Sequence, residues 1–403
     1  MNKLNEAICI EILAGILIFI LSVRFSIAYF SYFILLALLG FCYICYCSYK
    51  NHCMLLANCD SAIKWMTLGV TFLYGTLFIS SLFLHDMYSV KSTVKLFYFC
   101  LPLFVMWFIG SKSDGTKGFE IGLCSGIALD CLYGLAEHFK IIHLTVLDPK
   151  RMQSFFPHPN TFGVILILCI PFIIYFLYKS KVYAGKILLT CILALDLICL
   201  IFTGSRGALT SIFVGLMGTL LLLIFENRVS IWANIFHSKK ILFGIVIFFL
   251  ISVVALNFVY DQRGNNVGER IIMREASIEM WEDHKILGVG VARWGENYYS
   301  LTYHPIGAHE TGLITPHNMP LYFLSISGIV GEFGYLAFSV ITFAILFRNM
   351  KRKNNSIATA MMAAYLAFFA ESMVDATLSN KPITLLFMGL LGYSIGQIER
   401  YKD

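Results

Sequence analysis

The sequence predicts an all-α fold, a polytopic membrane bundle of about twelve transmembrane helices with one large extramembrane loop. Three observations predict it. Of 403 residues, 58% are hydrophobic and only 13% charged, against roughly 25% charged in soluble domains. The mean hydropathy is +0.76. Apolar runs of the length that crosses a bilayer, about 20 residues, recur along the whole chain. A water-soluble fold this apolar would have too little polar surface to cover itself, so lipid must be part of the solvent.

The runs fall at 7–23, 26–48, 63–84, 92–110, 118–137, 160–179, 184–203, 207–225, 240–260, 320–347, 357–377 and 381–398. The first follows a short start, Met1 to Glu6, and no small-residue cleavage site comes after it, so it is expected to be a retained span. The fourth is weakest, because Lys91, Ser92, Thr93 and Lys95 are polar. Orientation follows from Lys and Arg in the short connections. With the N-terminus inside, the inner segments carry 17 such residues, among them Lys179, Lys181, Lys186 and Arg348 to Lys353, and the short outer loops carry 5: Arg24, Lys91, Lys95, Arg206 and Lys381. Both termini are therefore expected on the cytoplasmic side. This distribution also explains the formal charge of +6 without nucleic acid as a partner.

Three divisions result: helices one to nine over 1–260, a large outer loop over 261–316, and helices ten to twelve with the C-terminus over 317–403. Glu269 to Asp283 contains neither Gly nor Pro and mixes apolar with charged residues, so a helix is expected inside the loop. Gly288, Gly290, Pro305, Gly307 and Gly312 punctuate the rest. All twelve cysteines lie between Cys9 and Cys199, mostly within apolar runs, where a thiol acts as a small hydrophobe. The group Cys42, Cys45, Cys47, Cys53 and Cys59 lacks the spacing of a zinc site. No His-Glu-x-x-His pattern and no phosphate-cradling Gly-rich loop occur, so neither a metal cofactor nor ATP is expected.

Polar groups that invite chemistry gather on the outer side. Arg206 sits in Thr203-Gly204-Ser205-Arg206-Gly207 between two spans. A snorkelling interfacial arginine is the ordinary account. The flanking glycines weigh against it, since they allow close backbone approach and Gly207 opens a helix whose amides attract anions. Arg270 stands in Gly268-Glu269-Arg270 at the start of the loop helix, where a solvated face is the competing account. His317 stands in Thr315-Pro316-His317-Asn318 just before a span. Asn318 or Thr315 suffices to cap that helix, whereas histidine suits proton transfer near neutral pH. Arg151, His158 and Asn160 form a further outer group. Glu371 and Asp375, near an outer helix end, are carboxylates at a membrane boundary, where they are expensive and usually functional or paired. His304, His309 and Glu310 are weaker candidates for a base. Outer arginines with one boundary histidine suit an anionic, lipid-anchored substrate, because the guanidinium fork matches phosphate oxygens. On the residues alone a transporter remains open.

Ser205-Arg206-Gly207-Ala208, Gly268-Glu269-Arg270, Trp281 to Gly290, Pro316-His317-Asn318 with Leu321-Tyr322, Gly328-Ile329-Val330-Gly331 and Arg151 to Asn160 together resemble the O-antigen ligase and polymerase superfamily of bacterial inner-membrane glycosyltransferases. Their order and shared side, over about Arg151 to Gly334, carry the resemblance. It implies a GT-C-like helical fold with a large periplasmic loop. It also implies metal-independent, inverting transfer of a glycan from undecaprenyl pyrophosphate to an acceptor hydroxyl. The acceptor is the lipid A–core in the ligases of lipopolysaccharide biosynthesis, and the next lipid-linked repeat unit in the polymerases. By motif it assigns Arg206 and Arg270 to the donor pyrophosphate and His317 to catalysis, with Arg151, His158, Asn160 and Asn318 as further lining. Thr315 stands where many such ligases carry a second histidine, so a single histidine is assigned. A non-enzymatic flippase of lipid-linked glycans is the alternative from another class. It calls for charge along several span interiors, and the spans here are nearly free of it.

The charge count makes a topology prediction. A cysteine introduced at Asn265 in a cysteine-free background is expected to react with a membrane-impermeant thiol reagent added outside the cell. Reaction only from the cytoplasmic side would reverse the orientation.

Overall fold

A computed structural model describes residues 3–24, 28–50, 61–141, 151–226, 267–300, 302–303, 312–350 and 356–400. The expected span at 240–260 and the candidates His304, His309 and Glu310 lie outside them. The described residues are helical and contain no strand.

The helices are α1 (Lys3–Ser22), α2 (Tyr29–Lys50), α3 (Ser61–Phe83), α4 (Met87–Leu96), α5 (Leu101–Lys112), α6 (Lys117–His138), α7 (Pro159–Lys179), α8 (Tyr183–Phe202), α9 (Arg206–Glu226), α10 (Val267–Asp283), α11 (Trp294–Tyr298), α12 (Met319–Met350), α13 (Ser356–Ser372) and α14 (Lys381–Arg400). Among the described residues, eight stretches are long and apolar enough to cross a membrane: α2, α3, α4–α5 together, α6, α7, α8, α9 and α12. α1 and α13 hold shorter apolar segments, Ala7–Ser22 and Ile357–Ser372. The polar start of the fourth expected span resolves into α4, a 3-10 turn at Phe97–Cys100 and α5, whose second residue is Pro102. Asp86 caps α4 by accepting from the Tyr88 and Ser89 amides, so this helix begins before the apolar run does.

α7 lies at the centre, with nearly all its side chains buried. α8, at the periphery, exposes Ile187, Leu188 and Ile198, and α2 exposes Leu35, Leu38 and Leu39. Apolar surface of this extent on a bundle exterior suits lipid contact. The polar contacts separate into two ends. At one end, Ile63 N–H donates to Glu399 (2.8 Å) and Lys179 to Thr116 (2.8 Å), and Arg400 pairs with Asp114. At the other, Arg151, Thr203, Arg270, His317 and Asp375 gather. Residues that the charge count assigns to one side thus meet at one end of the bundle.

The large loop is tied into the bundle through its backbone. α12 breaks at Gly328, whose φ is +63°. In an unbroken helix the Ile329 and Val330 amides would donate to Ser325 and Ile326. Here they donate to Lys285 O (2.9 Å) and Ile286 O (3.4 Å), while Ser325 O and Ile326 O accept from Val289 (2.8 Å) and Gly290 (3.0 Å). Segment 285–290 is thus inserted into the hydrogen-bond ladder of α12, and Ser80 Oγ donates to Leu287 O at 2.6 Å. Two glycines make the insertion fit. A Cβ on Gly288, φ +66°, would lie 2.3 Å from Ser327 N, and one on Gly328 would lie 2.3 Å from Ile286 C. Beyond the insertion, Arg293 donates to both oxygens of Asp86 (2.9 and 3.0 Å) and lies 4.3 Å over the Tyr88 ring. Trp294 is buried, donates to Ser277 Oγ of α10 (2.9 Å) and stacks on Tyr298.

Gly288→Ala combines a left-handed backbone, unfavourable for an L side chain, with a backbone clash. It is expected to cost at least about 2 kcal/mol and to release the loop from α12. Thermal unfolding and limited proteolysis in detergent measure both effects. A variant that melts and resists protease like the parent would show that the insertion does not hold the loop.

Candidate active site

A cavity of about 310 Å³ opens at the end of the bundle where Arg151, Arg270 and His317 gather, lined by Arg151, His158, Asn160, Ser205, Arg206, Gly207, Glu269, Arg270, Ile271, Met273, Arg274, His317 and Glu371. Six of the seven residues that the resemblance assigns to the site line it, and so does the boundary carboxylate Glu371. The seventh, Asn318, caps α12 instead: its Oδ1 accepts from Leu321 N–H (2.9 Å) and its Nδ2 donates to Met373 O (2.8 Å).

Arg206 occupies the first turn of α9. The turn before it is built by Gly204, φ +60°, by Thr203 Oγ1 accepting from Ser205 N–H (3.2 Å), and by Ser205 Oγ accepting from Ala208 N–H (3.4 Å). The other first-turn amides of α9 favour negative charge there. Arg151 braces this turn. Its Nε donates to Thr203 O (2.8 Å) and one terminal nitrogen donates to Asn160 Oδ1 (2.7 Å). His158 caps α7 by accepting from Asn160 N–H at 3.2 Å. Glu137 holds the same loop by accepting from Ser154 N–H at 3.0 Å. Arg151, His158 and Asn160 therefore shape the cavity wall, with much of their bonding capacity used in doing so.

α9 and α13 approach through small residues. A Cβ on Gly215 would lie 2.5 Å from Ala363 O, and one on Gly207 would lie 2.7 Å from Glu371 Oε1. Such close packing is typical of helices in membranes. It carries the Glu371 carboxylate to the start of α9, where it accepts from Ser211 Oγ at 2.9 Å. α10 supplies Glu269, Arg270 and Arg274, and Arg270 donates to Val374 O at 3.1 Å.

His317 has φ +50°, a conformation uncommon outside glycine. Its Nδ1 lies 2.9 Å from Asp375 Oδ1, and Ala376 N–H donates to the same carboxylate oxygen at 2.8 Å. Burial raises the Asp375 pKa, but the His317 hydrogen bond, the His317 charge, the Ala376 amide and Arg270 outweigh it and hold the carboxyl below its usual value. An ionised carboxylate only accepts, so Nδ1 carries the proton and Nε2 is left as a lone-pair base. The sequence marked Asp375 as a boundary carboxylate without giving its partner. It gave no separate sign of Arg274 beyond its place one helical turn after Arg270.

With four arginines, two glutamates and two histidines lining it, the cavity suits an anion, and His317 stands at its edge. Residues 189–336 match the family model described as O-antigen ligase. That segment holds Arg206, Arg270, Arg274 and His317, while Glu371 and Asp375 lie beyond it. No curated protein matches the chain.

Because Asp375 has a depressed folded pKa, its contribution to stability is complete above the ordinary aspartate value. It is lost as pH falls below that value towards the folded one. The parent's melting midpoint is expected to fall across that acid range, and Asp375→Asn to remove that part of the dependence. Parallel melting curves for the two proteins from neutral to acid pH would show that Asp375 carries no such linkage.

Proposed function

We propose that this chain, whose residues 189–336 match the O-antigen ligase family model, is a ligase-type glycosyltransferase. It moves a glycan from undecaprenyl pyrophosphate to a hydroxyl of an acceptor sugar, with lipid A–core as the acceptor, on the periplasmic face of the bacterial inner membrane. The observation that carries the reading is that Arg206, Arg270 and His317, far apart in sequence, line one cavity.

In this reading the donor pyrophosphate lies against Arg206, the first turn of α9 and Arg270. The acceptor hydroxyl approaches His317. Nε2 takes the hydroxyl proton. The acceptor oxygen forms a bond to the anomeric carbon from the face opposite the pyrophosphate, and the bond from that carbon to the phosphate oxygen breaks. The electron pair stays on that oxygen, and configuration at the carbon inverts. Asp375 keeps the imidazole in the reactive tautomer and offsets the positive charge it gains, acting as a positioning residue. The guanidinium groups are set in place beforehand and need little reorganisation as charge grows on the leaving phosphates. The pyrophosphate is already an activated leaving group, so the reading calls for neither ATP nor a metal.

Purified protein, lipid-linked glycan and two acceptors, lipid A–core and a second lipid-linked repeat unit, test the reading. Transfer to lipid A–core is expected. His317→Ala is expected to lose about 10²–10⁴-fold in turnover while retaining donor binding. Arg206→Lys and Arg270→Lys keep the charge but lose the fork, and each is expected to cost on the order of 1.5–3 kcal/mol. Folded His317→Ala with parental turnover would remove the base assignment. Elongation of the second repeat unit in place of transfer to lipid A–core would replace the ligase reading with polymerase activity.

A further inference from the structure

Arg274 is a cation of the cavity with no hydrogen-bond or ion-pair partner among the described residues. It lies four residues after Arg270 on α10, so the two share a helix face, and both line the cavity with Arg206. Its Nε is shut off from solvent and makes no hydrogen bond, and among the described residues no carboxylate pairs with it. The other arginines of the cavity differ. Arg151 is engaged with Thr203 and Asn160, and Arg270 with Val374. The side chain is half-buried, and a buried donor left without an acceptor is costly. A ligand that enters the cavity supplies the missing acceptor.

The chemistry of the proposed reaction says what that acceptor is. A glycan joined to a polyprenyl pyrophosphate carries two negative charges, one on each phosphate. When the acceptor oxygen displaces the pyrophosphate from the anomeric carbon, the departing oxygen keeps the bonding pair and a third charge appears. Arg206 and Arg270 answer the two charges present throughout. We propose that Arg274 is a third diphosphate-binding residue whose fork meets the charge that develops on the leaving oxygen. This inference rests on the glycosyl-transfer reading. It makes Arg274 an element of transition-state and product binding more than of donor binding.

The test uses the full-length protein with two probes, inorganic pyrophosphate and inorganic phosphate, followed by steady-state transfer. Arg274→Gln is expected to weaken pyrophosphate binding about tenfold or more and phosphate binding less than about threefold. Its kcat is expected to fall about tenfold or more with the donor KM within about threefold of the parent, the pattern of an interaction made mainly in the transition state. Arg274→Lys is expected to fall between the two. The melting midpoint without probe is measured on each preparation. Folded Arg274→Gln with parental pyrophosphate affinity and turnover, beside an Arg206→Gln that has lost both, would overturn the role of Arg274 and leave the glycosyl-transfer reading intact. A parent with no affinity for pyrophosphate would overturn that reading itself, and this inference with it. Should Arg274→Gln melt far below the parent, Arg274→Lys decides: a partial, pyrophosphate-selective loss supports the role and parental behaviour overturns it.

Discussion

The exchange of hydrogen bonds between segment 285–290 and α12 is the constraint on which the cavity end of this protein depends. Backbone amides and carbonyls at membrane depth must be satisfied within the protein, and irregular backbone is tolerated there only when buried in protein or lining a cavity. A break in α12 at Gly328 would leave two carbonyls and two amides open. The inserted segment closes all four. The same contacts place the C-terminal end of α10 against α12, so the helix that carries Arg270 and the helix that His317 precedes are fixed by one backbone junction. Four bonds stand where the unbroken helix would make two, and the junction is specific because only glycine fits at both of its closest approaches.

The remaining parts of the cavity are positioned by different means. α9 and α13 are held by small residues in register, Gly207, Ser211 and Gly215 against Glu371, Ala367 and Ala363. This packing presents the first turn of α9 with its amides beside a carboxylate. The Arg151 loop is held from both sides, by Glu137 on α6 and by Thr203 on the α8–α9 turn. The chain after α13 returns Val374 to Arg270, Met373 to Asn318 and Asp375 to His317. Three successive residues of one short turn therefore orient three residues of the cavity and its rim, and a small shift there moves all of them together.

The charge balance of the cavity fits a ligand that brings negative charge with it. Four guanidinium groups face two glutamates. One guanidinium serves the wall, and one carboxylate is occupied with Ser211. The histidine is equipped separately, with a depressed-pKa carboxylate behind Nδ1. In the proposed reaction, anion binding and proton transfer fall to different groups on different elements. This separation is what a displacement with a phosphate leaving group and a hydroxyl nucleophile requires.

The sequence by itself determined the membrane character, most helix positions among the described residues and the candidate residues, because these are local signals. Apolar run length fixes where a helix spans, the absence of Gly and Pro marks α10, and arginine, histidine and glycine stand out against an apolar chain. The family resemblance joined Arg206, Arg270 and His317 by order alone. Only the tertiary structure decided what these residues do to one another. The glycines at 288 and 290 were legible as punctuation and Gly328 as part of a family motif, but the two segments lie some forty residues apart and meet through backbone bonds that no side-chain pattern encodes. Arg151 read as a lining residue and does line the cavity, but its bonds to Thr203 and Asn160 were not legible, since a guanidinium carries the same sequence signal whatever it touches. Asp375 could not be joined to His317 from spacing, because the bond needs a left-handed residue at 317 and a chain reversal at 373–376. Arg274 is the opposite case. Its position on the Arg270 face follows from helical geometry, but its lack of a partner among the described residues is a property of what packs around it.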